Sequence, residues 1–189
     1  VFLYQNEAIE RQADPVYRIL QNLLLSYHKI NYFYAQSLLL KTLLEQQYQE
    51  LECLTEDYAK QNWDNQALKT IPQNSLKYYQ RLAFLEDQAK SVEVNLQNYQ
   101  ECLQKINEKT GQKPPNYFLE FEQTTQFYLE QMKANFGFLS PALHLYEKLL
   151  LTVQTQISID EAKIQKIQNQ KQAQLGQIFA GFGTSIALV

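Results

Sequence analysis

Apolar residues step by three and four along nearly the whole of this chain, the spacing of helices that each bury one face. The first such stretch runs from Val16 to about Ala59 with no proline or glycine to interrupt it. Val16, Leu20, Leu23, Tyr27, Ile30 and Tyr34 share one face, and Leu44, Tyr48, Leu51 and Tyr58 continue it after a phase slip near Lys41. Asp14-Pro15 is a start signal: a side-chain acceptor, then a residue whose fixed φ suits a first turn. The pattern predicts one long helix from residue 15, bent at the slip. Residues 61–74, with Asn62, Trp63, Asn65 and Pro72, break the periodicity and predict a loop holding one short helical turn.

A second helix is expected from Asn74 or Ser75 to about Lys109. Its seam of Leu82, Leu85, Ala89, Val92, Leu96, Tyr99, Leu103 and Ile106 alternates strictly between steps of three and four, so it demands a partner helix along its whole length. Gly111 is the expected left-handed terminator, and Lys113-Pro114-Pro115 cannot continue a helix. A shorter third helix follows from about Tyr117 to Phe136, with Phe118, Phe121, Thr125, Tyr128 and Met132 on one face. Ser140-Pro141 repeats the start signal and opens a fourth helix with the seam Leu143, Tyr146, Leu150, Val153, Ile157, Asp160, Ile164 and Ile167. Asp160, polar on an apolar seam, reads as an end-of-core or register marker.

These elements predict an all-α fold: an antiparallel bundle of four principal long helices with coiled-coil-like packing. Residues 1–14 would be an N-terminal extension, 15–174 the bundle and 175–189 an apolar C-terminal segment. With 189 residues, 45% of them apolar, the chain suffices for one hydrophobic core. None of its five glycines precedes Gly111, which argues against phosphate-cradling loops, tight hairpins and multi-stranded sheets. Glutamine, with 27 copies, and leucine favour helix instead. A net charge of −3 and a pI near 5.5, with basic residues scattered, offer nucleic acid no basic face.

Candidate chemistry is sparse. Cys53 and Cys102 lack C-x-x-C spacing and read as reduced thiols at the edge of the core. His28 and His144, the two histidines, have no acidic residue three or four places before them, so neither a bundle-type di-iron site nor a zinc site is expected. Glu86-Asp87, Glu101, Glu120 and Glu122 read as solvated helix faces, and no G-x-S-x-G serine signature occurs. Tyr32, Tyr34, Tyr78, Tyr79, Tyr117 and Tyr128 could line an aromatic groove, although tyrosine at helical spacing is more often core edge with its hydroxyl in water. The sequence therefore predicts no enzyme, no cofactor and no metal.

The end of the chain carries the strongest functional hint. After Lys171 no charged residue recurs, and Leu175, Gly176, Ile178, Phe179, Ala180, Gly181, Phe182, Gly183, Ile186, Ala187, Leu188 and Val189 make the last stretch apolar or small. A bilayer span needs about 20 such residues, so the chain is expected to stop partway into a transmembrane helix. Ala180, Gly183 and Ala187 are of the size that lets membrane helices approach closely. Lys163, Lys166 and Lys171 just before the segment place the bundle in the cytoplasm by the positive-inside rule. The competing expectation is an apolar tail folded onto the bundle or buried in an oligomer. No secretory leader opens the chain, and its start at Val1 rather than Met leaves an upstream segment open.

The stretches Leu85-Glu86-Asp87-Gln88, Val94-Asn95-Leu96-Gln97-Asn98-Tyr99, Leu139-Ser140-Pro141 and Ile159-Asp160-Glu161-Ala162-Lys163 resemble those of a group of mostly cyanobacterial helical membrane proteins. The resemblance covers most of the chain and implies a long cytoplasmic α-domain followed by C-terminal transmembrane helices. The layout is also similar to that of CorA-type cation channels, whose stalk helix continues into the pore helix. The Gly-Met-Asn motif of that pore mouth does not occur in these residues, and no α/β pattern lies upstream of the helices. The expectation is a non-enzymatic, homo-oligomeric membrane protein, as a channel, pore or membrane-anchored effector. A coiled-coil adaptor binding a protein partner through its apolar tail is the alternative.

Overall fold

The computed structural model describes residues 7–59 and 65–186, with side-chain surroundings for 13–57 and 69–177. Helices α1 (Glu7–Ala59), α2 (Asn65–Thr110), α3 (Asn116–Leu139) and α4 (Pro141–Ile186) take up all of these residues except 111–115 and Ser140. The fold is all-α, with no strand among the described residues.

Two helix starts differ from the sequence expectation, both at prolines. α1 begins at Glu7 and passes through Pro15, so part of the expected N-terminal extension is helix. α2 begins at Asn65 and passes through Pro72, so the expected loop over 61–74 is largely helical. A proline inside a helix forfeits one backbone hydrogen bond and crowds the preceding turn. Both prolines lie at exposed positions. Before Pro72, Ile71 is fully buried, and that burial offsets the lost hydrogen bond. Trp63 lies outside the described residues, as does the side chain of Tyr58.

The core forms two clusters that share α1 and α2. In one, Leu23 and Ile30 of α1 meet Ala89, Val92, Leu96, Tyr99 and Leu103 of α2, with Leu129 and Met132 of α3. In the other, Leu44 and Leu51 of α1 meet Ile71, Tyr78, Leu82 and Leu85 of α2, with Ala142, Tyr146, Leu149 and Val153 of α4. α2 therefore returns along α1, and α3 and α4 succeed one another along that pair. At each level three helices pack together, where the sequence predicts four side by side. The α2 seam is buried as expected from Leu82 through Leu103, and Ile106 is half-buried.

The α3–α4 junction explains this arrangement. Ser140 keeps helical backbone angles, φ −60° and ψ −32°, and its N–H donates to the Phe136 carbonyl at 2.9 Å. One residue in that conformation cannot reverse the chain. Pro141 has no N–H for the carbonyl of Gly137, and the Ser140 hydroxyl donates to that oxygen instead, at 3.3 Å. The serine thus bonds backwards rather than capping α4. At the other break, Gly111 has φ +65° and donates to the Asn107 carbonyl at 2.8 Å, the left-handed stop the sequence predicts.

A Cβ would meet nothing within 4 Å at Gly111 or at Gly137. Substitution at either position therefore reads backbone conformation alone. Gly111→Ala should lower stability by about 1 kcal/mol, and Gly137→Ala, inside α3, should raise it by about the same amount. Urea denaturation of the two variants would check the opposite signs.

Candidate functional site

The charged and thiol side chains singled out in the sequence stand apart from one another among the described residues. No group of three His, Cys, Asp or Glu there could hold a metal ion. His144 pairs with Glu147 at 3.0 Å, both well exposed, and His28 packs edge-on against Tyr27 at the surface. Glu86 pairs with Lys90 and Glu101 with Lys105, each one helical turn apart, while Glu122 accepts from Gln100 at 2.7 Å. Glu120 is exposed. Cys53 is exposed and Cys102 buried, both free, and burial raises the Cys102 thiol above its ordinary pKa. An open groove of about 600 Å³ beside Cys53, lined also by Glu50, Asp57 and Asn74, has no positive side chain among its described lining residues.

The tyrosines do not converge on one groove. Tyr34 stacks on Tyr128 with ring centroids 3.7 Å apart and donates to Gln131 at 2.8 Å. Tyr32, Tyr79 and Tyr117 are exposed and separate, whereas Tyr78 is fully buried. The Tyr78 hydroxyl donates to the Leu139 carbonyl at 2.7 Å, and its ring lies 5.5 Å from that of Tyr146. Desolvation pushes the Tyr78 hydroxyl far above the usual tyrosine range, with Tyr146 and Tyr48 adding to the shift. The same cause pushes Tyr99 and Tyr146 up to about 12.

The candidate functional element is α4. Its expected seam divides at Val153: Tyr146 and Val153 are buried, as is Leu149 beside the seam, and Leu143 and Leu150 are half-buried, but beyond them every described side chain to Gln177 is exposed. Ile157, Ile164 and Ile167 keep 45%, 57% and 52% of their surface in solvent, so among the described residues the seam finds no partner here. Asp160 stands on the same stripe and accepts from Gln156 at 3.1 Å and from Lys163 at 3.2 Å. These bonds hold its carboxyl below the ordinary aspartate range. Leu175 is exposed, and the side chains of Ile178, Phe179, Ala180, Gly181, Phe182, Gly183 and Ile186 lie outside those described, although α4 continues through them. Ala187, Leu188 and Val189 lie outside the described residues. Among the described residues no helix is long and apolar enough to cross a membrane.

Sequence reasoning missed a second surface. Leu25, Tyr32 and Leu39 of α1 are exposed and spaced by seven, and their regular spacing is the signal that could have found them. No protein-family model, curated protein or solved structure matches the chain.

The raised tyrosines fix an alkaline limit to stability. Unfolded tyrosines ionise near pH ~10, so their stabilising contribution is full below that pH. It is lost as pH rises toward the folded values of about 12 at Tyr99 and Tyr146. The melting temperature should fall across that window, and less steeply in Tyr78→Phe. At neutral pH Tyr78→Phe should cost about 1–2 kcal/mol by leaving a buried carbonyl without its donor. Tyr99→Phe, whose bond to the Phe118 carbonyl is 3.3 Å long, should cost less.

Proposed function

We propose that this chain is a non-enzymatic helical domain of an oligomeric membrane protein, in which α4 couples the bundle to a membrane-inserting C-terminal segment. The observation that carries the reading is the departure of α4 from the bundle at Val153, as a continuous helix whose described side chains are all exposed from there on. That helix leads directly into the uncharged run from Leu175 to Val189. Three lysines precede the run, in accord with a bundle on the cytoplasmic side. Packing changes around Tyr146 and Val153 would reach the segment through the helix itself, because an α-helix transmits displacement along its axis.

A second reading is favoured by Ile157, Ile164 and Ile167, which stand outside the bundle on one stripe. In that reading the chain is a coiled-coil scaffold whose arm binds a protein partner.

Carbonate extraction of membranes carrying the full chain, beside a version truncated before Leu175, separates the two. The full chain should remain in the pellet and the truncated one in the supernatant. Recovery of both in the supernatant would remove the membrane role and leave the scaffold.

A further inference from the structure

We propose that the open side of the α1–α2 pair is covered by the same side of a second copy of this chain, about a twofold axis that runs along the helices, so that α1 of each copy packs on α2 of the other. The choice of a lengthwise axis rests on the membrane reading above; the pairing of the two faces does not.

One side of the pair is taken. Tyr27 and Tyr34 of α1 meet Phe121 and Tyr128 of α3, and Glu93 and Gln100 of α2 meet Lys133 and Glu122 of α3. On the other side open grooves follow the α1–α2 seam, and their described lining residues belong to α1 and α2 alone. Two rows at sevenfold spacing border them: Lys29, Gln36, Leu43 and Glu50 on α1, and Lys77, Phe84, Ser91 and Asn98 on α2. Leu43 and Phe84, the apolar members, are 40% and 60% exposed. On the neighbouring row of each helix, Gln47 and Gln88 bury a side-chain oxygen that has no hydrogen-bond partner among the described residues. Such oxygens call for donors from outside.

The register follows from levels fixed within the chain. Tyr27 and Tyr99 both meet Phe121, so they stand at one height. Tyr48 meets Phe138 and Tyr78 bonds to the adjacent Leu139, which fixes a second height in the same register. A lengthwise twofold axis keeps these heights. It sets Leu43 against Phe84, Gln36 against Ser91, Glu50 against Lys77, and Lys29 against Asn98 with Glu101 one turn along, each twice by symmetry. Leucine thus meets phenylalanine, both ends carry opposite charges, and between Lys29 and Glu50 no like charges face each other. Four helices alternate up and down around a shared centre. Gln47 and Gln88 each approach their own copy across the axis, where the amide of one can donate to the oxygen of the other. α3 and α4 stay on the outer sides, so both α4 helices run past the bundle unobstructed and point the same way. A crosswise axis would instead set Leu43 against Leu43 and send the two C-terminal segments in opposite directions.

The test is disulfide trapping in the full chain, with exposed Cys53 replaced by serine and buried Cys102 kept. Chains carrying Leu43→Cys and chains carrying Phe84→Cys, told apart by tags of different length, are expressed together, oxidised and read on non-reducing gels. The mixed disulfide should exceed that between two Leu43→Cys chains by about tenfold or more, because bridging needs Cβ atoms about 4 Å apart. Tyr79, as exposed as Phe84, stands on the α2 row of Glu93 that borders α3, so Tyr79→Cys should not link to Leu43→Cys. All three positions are exposed, and thermal melts of the reduced variants should match the parent. A dominant Leu43→Cys self-disulfide would overturn the proposal by making the copies antiparallel. So would the absence of any linked species, or linkage through Tyr79→Cys as strong as through Phe84→Cys. The gel reads pellet and supernatant alike, so a mixed disulfide in chains released by carbonate would uphold the pairing while removing the membrane role.

Discussion

Pro141 has no amide proton, and the way the chain accommodates that loss organises the molecule. A helix running through this point leaves a carbonyl at Gly137 unserved, and the Ser140 hydroxyl turns back to serve it. The next accommodation is longer range: the Leu139 carbonyl takes a buried hydroxyl from Tyr78, 61 residues earlier in the chain. Because Ser140 stays helical in its backbone, the chain has no means of folding α4 back beside α3. α4 must instead continue past the pair formed by α1 and α2.

That constraint divides the core. Around Leu23, Ile30 and Tyr99 the third wall is α3, and around Leu44, Leu51 and Tyr78 it is α4. Each level closes with three helices, which leaves outward faces such as Leu25, Tyr32 and Leu39 without cover among the described residues. α4 outruns both of its neighbours, so a stripe that begins as core at Tyr146 ends as surface at Ile167 with no change in the sequence pattern.

This last point marks what could be read in advance. The seam of α2 was legible because heptad spacing and burial coincide when partners lie on both sides, from Leu82 through Leu103. The stop at Gly111 was legible because a left-handed backbone selects glycine locally. The arm could not be distinguished from the bundle, because spacing records that a helix face is apolar and not whose side chains cover it. Pro15 and Pro72 misled for a related reason. Their effect on a helix depends on whether the ring faces solvent and on what is buried beside it, as Ile71 is, and both are properties of the packed structure. The backward hydrogen bond of Ser140 was equally hidden, since Ser-Pro is a start signal only where the serine leaves helical geometry.

The departure of α4 at Val153 also sets a mechanical ratio. Residues 154–186 extend for about 50 Å, while the turns that anchor the helix, from Ala142 to Val153, extend for about 17 Å. A tilt of about 10° at the last buried residue would carry the far end sideways by about 9 Å. The same tilt moves the first anchoring turn by about 3 Å, the width of a single side-chain contact. A rotamer change beside Tyr146 is thus geared up roughly threefold by the time it reaches the C-terminal end, and the gain is set by where burial stops.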